Sequence, residues 1–295
     1  MREINKMKKI LLTSTLFISL TTNMIAANAG TDPEADRKAL TQYFTDMNKS
    51  VQFEGRPLKI EDYRFGSNIF DPDKLAQFKG AEDFPPYADH IEAGEKLWKK
   101  AFANGKTYSS CAGFSDVKTI RAKYPIFDDG RGEVVNLDQA VNECRTANNE
   151  KAYAFGDKDK DLTKILAYLS NESRGQKINV VINSPGALDA YNLGEMVFHT
   201  RRGQLNQSCA NCHISSAGRR IRSELLSPVI GHTTHFPVYR TTANDLVSLQ
   251  HRYVGCLSSV RGFPFPANST ELKALEFYES FMSNGLEIDG PTMRP

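Results

Sequence analysis

The chain has 295 residues, of which 37 are Lys or Arg and 35 are Asp or Glu, so its formal net charge is only +2. This balance gives no global signature of binding to nucleic acid or to an anionic lipid surface. The length suffices for about two domains of ordinary size. The five cysteines are the feature of the composition that most needs an explanation.

The first 29 residues have the pattern of a secretory signal peptide. Basic residues at positions 2, 6, 8 and 9 precede an apolar stretch, and the sequence Ala-Asn-Ala at positions 27–29 matches a cleavage site. The apolar stretch is short and interrupted by Ser and Thr, which makes a membrane anchor the weaker interpretation. We therefore expect cleavage after Ala29, a periplasmic product, and no membrane span in the rest of the chain.

Residues 208–213 have the sequence SCANCH, which contains the Cys-x-x-Cys-His motif that attaches c-type haem. Cys209 and Cys212 can each add to a vinyl group of one porphyrin, and His213 can then bind the iron. A zinc site is less favoured, because zinc usually takes four ligands and no second Cys-x-x-Cys is found. A redox-active dithiol does not require the histidine. We expect one covalently attached haem, which fits an exported protein.

A leading arm is predicted over residues 30–90. Residues 33–47 have helical spacing, with Leu40, Tyr43, Phe44 and Met47 on one face. We expect this helix to pack against the domain that follows it. The sequence FPPY at residues 84–87 interrupts regular structure and marks a boundary.

An internal repeat follows the arm, and repetition over this length favours two related domains rather than one large fold. The sequence AGEKLW at residues 93–98 has its counterpart in LGEMVF at residues 193–198. Each half ends in an apolar helix, predicted at residues 162–170 and 272–283. The sequence therefore predicts a mainly α-helical protein with two cytochrome c-like domains in tandem.

The first copy of the repeat has lost its haem site. Aligned on its Cys111, this copy has Phe114 and Ser115 where the second copy has a cysteine and the histidine. The second thioether and the iron ligand are therefore missing. We assign residues 91–190 to a haem-less domain and residues 191–295 to the haem-binding domain.

Two further cysteines flank the lost site. Cys144 lies seven residues after Leu137, just as Cys256 lies seven residues after Leu249, and Cys111 matches the first haem cysteine. Two separate buried thiols are less expected in an exported protein. We predict a disulfide between Cys111 and Cys144, which would stabilise the folded state by roughly 3–5 kcal/mol on the chain-entropy model.

Cys256 is the candidate for the distal haem ligand. Small electron carriers usually use Met at this position, but Met282 is expected in the core and Met293, near the C-terminus, is expected to be mobile. Thiolate ligation would lower the reduction potential of the iron. The alternative for Cys256 is an inert buried thiol.

Arg252 precedes Cys256 by four residues, so on a helix both side chains share one face. Arginine suits planar or tripodal oxyanions, and a cation near sulfur favours the reactive thiolate. We therefore interpret Cys256 as the reactive residue and Arg252 as the anion-binding residue. A haem-propionate partner or a solvated surface charge is the alternative for Arg252.

His232 and His235 are rival candidates for the sixth coordination position, and either would give bis-histidine haem. Both lie between the haem motif and Cys256. Histidines of this kind are more often surface residues or hydrogen-bonded loop residues.

Several segments together resemble the SoxA subunit of the SoxAX cytochromes. They are RRGQLN at residues 201–206, the haem motif, GHTTHFPVYR at residues 231–240 and RYVGC at residues 252–256. The likeness covers nearly the whole chain after the leader and is sharpest from about Gly194 onward. Many members carry two haems, whereas this chain resembles the single-haem members, in which a disulfide replaces the first haem.

The resemblance implies an L-cysteine S-thiosulfotransferase. SoxA and its small haem subunit SoxX oxidatively join thiosulfate to a cysteine of the carrier SoxYZ, and the electrons leave to a downstream cytochrome c. The resemblance also implies that Cys209 and Cys212 hold the haem and that His213 is the proximal ligand. It makes Cys256 the distal ligand and the active-site sulfur, found in the family as a persulfide, and Arg252 the substrate contact.

Two other functions are open from the sequence. A periplasmic electron-transfer cytochrome without a substrate site would need neither Cys256 nor Arg252. A haem peroxidase or sensor would keep an open distal position.

Overall fold

The computed structural model describes residues 32–294, and this part of the chain is mainly helical, as predicted. The predicted signal peptide, residues 1–29, lies outside the described residues. Within residues 32–294 no helix combines the length and apolar character needed to cross a membrane. An N-terminal segment (residues 32–87) precedes two copies of one helical arrangement, which we call the first repeat (residues 88–178) and the second repeat (residues 185–288).

The N-terminal segment begins with a helix that its own sequence caps. The Asp32 carboxylate accepts hydrogen bonds from the backbone N–H groups of Glu34 and Ala35, both at 3.1 Å, and Pro33 suits the first helical position. The elements of the segment are α1 (Pro33–Met47), the antiparallel strands β1 (Gln52–Phe53) and β2 (Arg56–Pro57), a 3₁₀ stretch (Ile60–Phe70) and α2 (Pro72–Ala81).

The first repeat combines four helices with a short hairpin. Its third helix is capped by Asn136, whose side-chain oxygen accepts a hydrogen bond from the backbone N–H of Gln139 at 3.1 Å. The elements are α3 (Ala88–Lys99), a 3₁₀ turn (Tyr108–Ser110), α4 (Val117–Lys123), β3 (Ile126–Asp128), β4 (Glu133–Val135), α5 (Leu137–Ala147) and α6 (Lys160–Glu172).

The second repeat shares with the first an opening helix, a hairpin and two closing helices, but between the opening helix and that hairpin it has the helical haem motif, a second short hairpin and a 3₁₀ turn. It is followed by a final strand that pairs in parallel with the first strand of the shared hairpin. The elements are α7 (Pro185–His199), α8 (Cys209–His213), β5 (Arg220–Ile221), β6 (Glu224–Leu225), a 3₁₀ turn (His232–Thr234), β7 (Val238–Arg240), β8 (Asp245–Val247), α9 (Leu249–Ser259), α10 (Thr270–Met282) and β9 (Thr292–Arg294). The two predicted apolar helices correspond to α6 and α10.

Each repeat is held together where its first helix crosses its last helix at a glycine. A Cβ atom on Gly94 of α3 would collide with the carbonyl oxygen of Lys164 on α6. A Cβ atom on Gly194 of α7 would likewise collide with the carbonyl oxygen of Ala274 on α10. Only glycine allows the two backbones to approach so closely, so the repeated Gly-Glu of the sequence marks a repeated helix crossing.

In both repeats a hairpin of two three-residue strands precedes the helix that carries the last cysteine of the repeat. The pairing of β3 with β4 and of β7 with β8 places Asp128 in the first repeat at the position of Arg240 in the second. A single capping residue then separates the hairpin from α5 or α9. The register therefore places Cys144 at the position of Cys256, as the sequence alignment predicts.

The segments that follow α6 and α10 join the two repeats symmetrically. The backbone N–H of Gly175 donates to the carbonyl oxygen of Ile288, and the N–H of Gly285 donates to the carbonyl oxygen of Ile178, both at 2.9 Å. These are equivalent residues of the two repeats. The exchange of equivalent hydrogen bonds is what a local twofold axis between the repeats produces.

The N-terminal segment packs against the second repeat, so the expectation that α1 packs against the domain that follows it is wrong. Phe44, Tyr63 and Phe78 of this segment belong to the same buried cluster as Tyr191 and Phe277 of the second repeat. The physical reason is α10, which is buried on all its faces from its third residue onward. The second repeat leaves part of α10 uncovered, and the N-terminal segment covers that part.

The two methionines considered as iron ligands are both held in the fold. Met282 is buried in the core, as expected. Met293 was expected to be mobile, which is wrong, because it lies in β9 opposite Tyr239 of β7. Strand pairing holds this end of the described chain in place. A strand of three residues is too short to produce a periodic pattern in the sequence.

Candidate functional site

The Cys-x-x-Cys-His motif forms α8, whose start is fixed by a capping box. The Ser208 hydroxyl accepts a hydrogen bond from the backbone N–H of Asn211 at 3.2 Å, and the Asn211 side-chain oxygen accepts one from the backbone N–H of Ser208 at 3.0 Å. Cys209 and Cys212 are free, partly buried thiols. The capped helix holds them one turn apart on the same side.

The loop after α8 orients the His213 imidazole. Its Nδ1 lies 2.9 Å from the carbonyl oxygen of Ser227, which can only accept, so Nδ1 carries the hydrogen and Nε2 keeps a free lone pair. Burial lowers the pKa of His213 well below its usual value, and the nearby His232 lowers it further. A neutral imidazole with a free Nε2 is the form that binds a metal ion.

This set of donors fits a c-type haem. Burial raises the pKa of Cys209 and of Cys212, so both are thiols at neutral pH and available to form thioether bonds. Like Cys209, the apolar side chains of Ile214, Val254 and Leu257 are partly buried and pack against one buried cluster. An apolar surrounding of this kind suits a porphyrin, and the free Nε2 of His213 would supply an iron ligand beside it.

Helix α9 brings Cys256 and Arg252 to the haem motif. Cys256 is a free, partly buried thiol. It lies close enough to Cys209 and Cys212 to add to the effect of burial in raising the pKa of both. Arg252, one turn earlier, is close enough to His213 to contribute to the lowering of its pKa. The two residues predicted to carry the chemistry therefore share one site with the haem motif.

The Arg252 guanidinium is free of carboxylate partners within residues 32–294. The neighbouring Arg240, by contrast, has a carboxylate oxygen of Glu224 at 3.5 Å. A half-buried guanidinium without a counterion beside a free thiol is suited to bind an anion.

His232 and His235 are both held by contacts within the protein. The His232 ring packs edge-on against the His213 ring, with 4.2 Å between centroids. Its Nε2 lies 2.9 Å from the Ser227 hydroxyl and its Nδ1 lies 3.4 Å from the Glu279 carboxylate. His235 is buried against the N-terminal segment. Both nitrogens of His232 are engaged on the side of His213, so this arrangement disfavours bis-histidine haem.

The comparison with protein families agrees with this site. Two segments, residues 93–178 and 193–288, match the family model described as SoxA/TsdA, cytochrome c domain. The chain belongs to the SoxA/TsdA cytochrome c family. The two matched segments coincide with the two repeats, and a cytochrome c domain uses haem as its cofactor.

Relatives of this SoxA/TsdA family member match it over most of their length. The L-cysteine S-thiosulfotransferase subunit SoxA of Chlorobaculum thiosulfatiphilum is 45% identical over 88% of this chain and 87% of its own. The subunit of the same name from Allochromatium vinosum is 36% identical over 96% of this chain and 98% of its own. The crystal structure of SoxXA from P. pantotrophus matches with a TM-score of 0.68 and 32% identity, over 75% of this chain and 84% of that chain.

In the first repeat of this SoxA/TsdA family member the predicted disulfide is present. Cys111 and Cys144 are joined, with their Cα atoms 5.8 Å apart. Beside them the rings of Trp98 and Tyr108 stack with 4.8 Å between centroids, and Phe114 packs against Trp98. All three aromatic side chains are buried. They fill the interior of the first repeat beside these two cysteines.

Two residues of the site are not predicted from the sequence. Ser227 orients His213 through its backbone carbonyl, and no side-chain pattern signals such a role. Glu279 is buried on α10 and accepts a 2.7 Å hydrogen bond from the Tyr253 hydroxyl. A carboxylate within a helix predicted to be apolar was the available signal for Glu279.

Proposed function

We propose that this protein is a SoxA-type subunit of L-cysteine S-thiosulfotransferase, which joins thiosulfate oxidatively to a cysteine of a SoxYZ-type carrier. The observation that carries the proposal is the convergence of Cys256 and Arg252 on the Cys-x-x-Cys-His motif. A plain electron carrier needs neither a free thiol nor an uncompensated guanidinium at that place. The names of the matched relatives support the same activity.

The proposed cofactor is one haem attached covalently through Cys209 and Cys212, with His213 as proximal and Cys256 as distal iron ligand. The free Nε2 of His213 supports the first assignment. Cys256 lies close to both attachment cysteines, which supports its assignment as the distal ligand. The assignment holds whether Cys256 is a thiolate or a persulfide. When bound, this haem supplies a one-electron acceptor of low reduction potential.

The proposed reaction forms one S–S bond between the terminal sulfur of thiosulfate and the carrier cysteine. The cysteine thiol loses its proton, and two electrons are released. Because a single haem iron takes one electron, a second one-electron acceptor is required. A SoxX-type small haem subunit is the proposed source, which the match to a SoxXA complex supports. Both electrons then pass to a downstream cytochrome c.

Arg252 binds the thiosulfate anion in this proposal. The planar fork of a guanidinium matches the oxygens of a sulfonate group and can hold two of them at once. Since Arg252 lies one turn from Cys256 on α9, an anion held by Arg252 has its terminal sulfur near the Cys256 sulfur. Loss of two electrons joins this terminal sulfur to the Cys256 sulfur. The carrier thiolate then attacks the terminal sulfur as in thiol–disulfide exchange, which forms the new S–S bond and releases the Cys256 thiolate.

The organisation of the chain is also part of the proposal. The leader is removed after Ala29 and the product works in the periplasm as a heterodimer. Residues 30–90 form the arm, residues 91–190 the haem-less domain and residues 191–295 the haem-binding domain. The disulfide and the buried aromatic side chains beside it support the assignment of a haem-less first domain.

Low-temperature electron paramagnetic resonance of the oxidised complex tests the proposal. We expect a thiolate-type low-spin signal that Cys256→Ala abolishes and Arg252→Ala retains. Arg252→Ala should lower kcat/KM for thiosulfate by about 10- to 100-fold, the usual loss for a hydrogen bond to a charged group. A His/Met or bis-His signal that survives Cys256→Ala would refute the distal assignment and favour the plain electron carrier.

A further inference from the structure

A second guanidinium lies at the same site. Arg240 ends β7, and its side chain is only 17% exposed. The hairpin of β7 and β8 leads through the single capping residue Ser248 into α9. The end of β7 is therefore held in a fixed position relative to the helix that carries Arg252 and Cys256.

Arg240 lies close to both of those residues. Burial lowers the pKa of Arg240, the positive charge of Arg252 lowers it further, and Glu224 and Cys256 oppose this lowering. Glu224 is the carboxylate partner of Arg240 among residues 32–294, at 3.5 Å, and its side chain is well exposed. A long, solvent-screened ion pair of this kind has a small interaction energy, so Glu224 compensates little of the Arg240 charge. Since Arg252 has no carboxylate partner among residues 32–294 and Glu224 pairs only weakly with Arg240, positive charge stays uncompensated beside the Cys256 sulfur.

The first repeat provides an internal comparison. Asp128 occupies the position of Arg240 in the equivalent hairpin. Ala140 of α5 lies one turn before the cysteine of that helix, as Arg252 does in α9. The repeat whose cysteine is in a disulfide therefore has neither guanidinium, and the repeat whose cysteine is free has both. The arginine pair accompanies the free sulfur and is not a requirement of the fold.

We propose that Arg240 is a second substrate-binding residue, which acts with Arg252 to bind the two negative charges of thiosulfate and so selects dianions over monoanions. This inference rests on the proposed function, since it takes Cys256 as the sulfur beside which thiosulfate binds. One guanidinium compensates one of the two charges, and a second is needed for the other. The two arginines come from a strand and a helix, so they also restrict how the anion is oriented.

The test uses the haem-loaded complex with the small subunit and compares three variants. Arg240→Gln should raise KM for thiosulfate about 10- to 100-fold, with little change in kcat. Arg240→Lys keeps the charge but not the planar fork, so an intermediate rise is expected. Arg222→Gln is the matched control, because Arg222 is an exposed arginine in the turn between β5 and β6 of the same repeat. We expect its KM to equal that of the wild type.

A monoanionic analogue separates charge selection from general binding. Methanethiosulfonate keeps the terminal sulfur of thiosulfate but carries one negative charge. Its inhibition constant in competition with thiosulfate should change far less in Arg240→Gln than KM does. The preference of the site for the dianion should therefore fall in this variant, while Arg222→Gln keeps it.

The haem signals distinguish a substrate contact from a haem contact. The electron paramagnetic resonance signal and the reduction potential should be the same in Arg240→Gln and wild type. A shifted potential with unchanged KM would overturn the proposal and make Arg240 a haem-propionate partner. If Arg240→Gln does not fold, the KM and the reduction potential of Arg240→Lys distinguish a substrate contact from a haem contact. A wild-type complex that forms no thiosulfate conjugate refutes the proposed function, whereas conjugation with unchanged KM in both Arg240 variants refutes only this inference.

Discussion

Lys177 of the first repeat and Glu287 of the second repeat occupy equivalent positions and face each other in an antiparallel backbone bridge. The segments around them hydrogen-bond to each other in a symmetric pattern. Because each repeat contributes the same segment to one contact, the carboxyl ends of the repeats are fixed to each other. The first repeat therefore has a structural role, since it forms one half of the interface that supports the second repeat.

Gly194→Ala should weaken the second repeat. The new Cβ atom would meet the carbonyl oxygen of Ala274, and backbone atoms cannot move aside as a flexible side chain can. We expect a loss of about 1–3 kcal/mol in the free energy of unfolding, typical of overpacking. Urea unfolding of the haem-loaded protein measures it. The control is Gly80→Ala on α2, where a Cβ meets nothing within 4 Å, and no loss is expected there. An unchanged free energy of unfolding in Gly194→Ala would mean that the two helices can move apart without loss of stability.

Removal of the disulfide should lower stability but leave the haem unchanged. The bridge closes a loop of 33 residues, for which the chain-entropy model predicts a loss of roughly 3–4 kcal/mol in Cys111→Ser/Cys144→Ser. The disulfide belongs to the first repeat, so the haem absorbance and the paramagnetic resonance signal of the second repeat should stay the same. Denaturant unfolding and the two spectra measure both effects. An altered haem signal would show that the repeats are coupled beyond their stability.

His232→Gln should retain the thiolate-type haem signal. The His232 ring packs against His213 with both nitrogens engaged by Ser227 and Glu279, so it lies beside the proposed proximal ligand. Low-temperature electron paramagnetic resonance of the variant measures the ligand set directly. The appearance of a high-spin, five-coordinate signal would instead identify His232 as an iron ligand.

The sequence predicted those parts of the molecule that depend on local spacing. The helical period predicts α1, the apolar runs predict α6 and α10, and the repeat register places Cys144 opposite Cys111. The contact of α1 with the second repeat could not be predicted, because it depends on which face of α10 stays uncovered after the repeats have packed. Ser227 acts through its backbone carbonyl. The proximity of Arg240 to the site depends on the strand register that places it beside α9. Residues of these two kinds leave no periodic signal.

Asp138 links the stability of the protein to pH. It lies in the first turn of α5 and is buried. Burial raises the pKa of Asp138 to about 8, and the carboxylates of Glu276 and Asp157 contribute to the rise. Glu276 belongs to α10, so the affected carboxyl group lies where the two repeats meet. At neutral pH this carboxyl group is therefore mainly protonated in the folded protein.

Asp138→Asn should make the free energy of unfolding less dependent on pH. The folded pKa lies above the unfolded value of about 3.9, so the folded protein holds the proton more tightly. Wild-type stability therefore falls as the pH rises from about 4 to about 8, by at most about 1.4 kcal/mol per pH unit. Asparagine cannot ionise, so the variant gains stability relative to the wild type over this range.

Urea unfolding at several pH values between about 5 and 8 measures this gain. The control is Asp89→Asn, which replaces an exposed aspartate in the first turn of α3. Its difference from the wild type should stay small and nearly constant, because solvent already surrounds that carboxylate. A constant difference for Asp138→Asn as well would mean that Asp138 is ionised in the folded protein. The buried Asp138 carboxylate would then need a compensating positive charge, which the buried Arg121 would supply because it interacts with both Asp138 and Glu276.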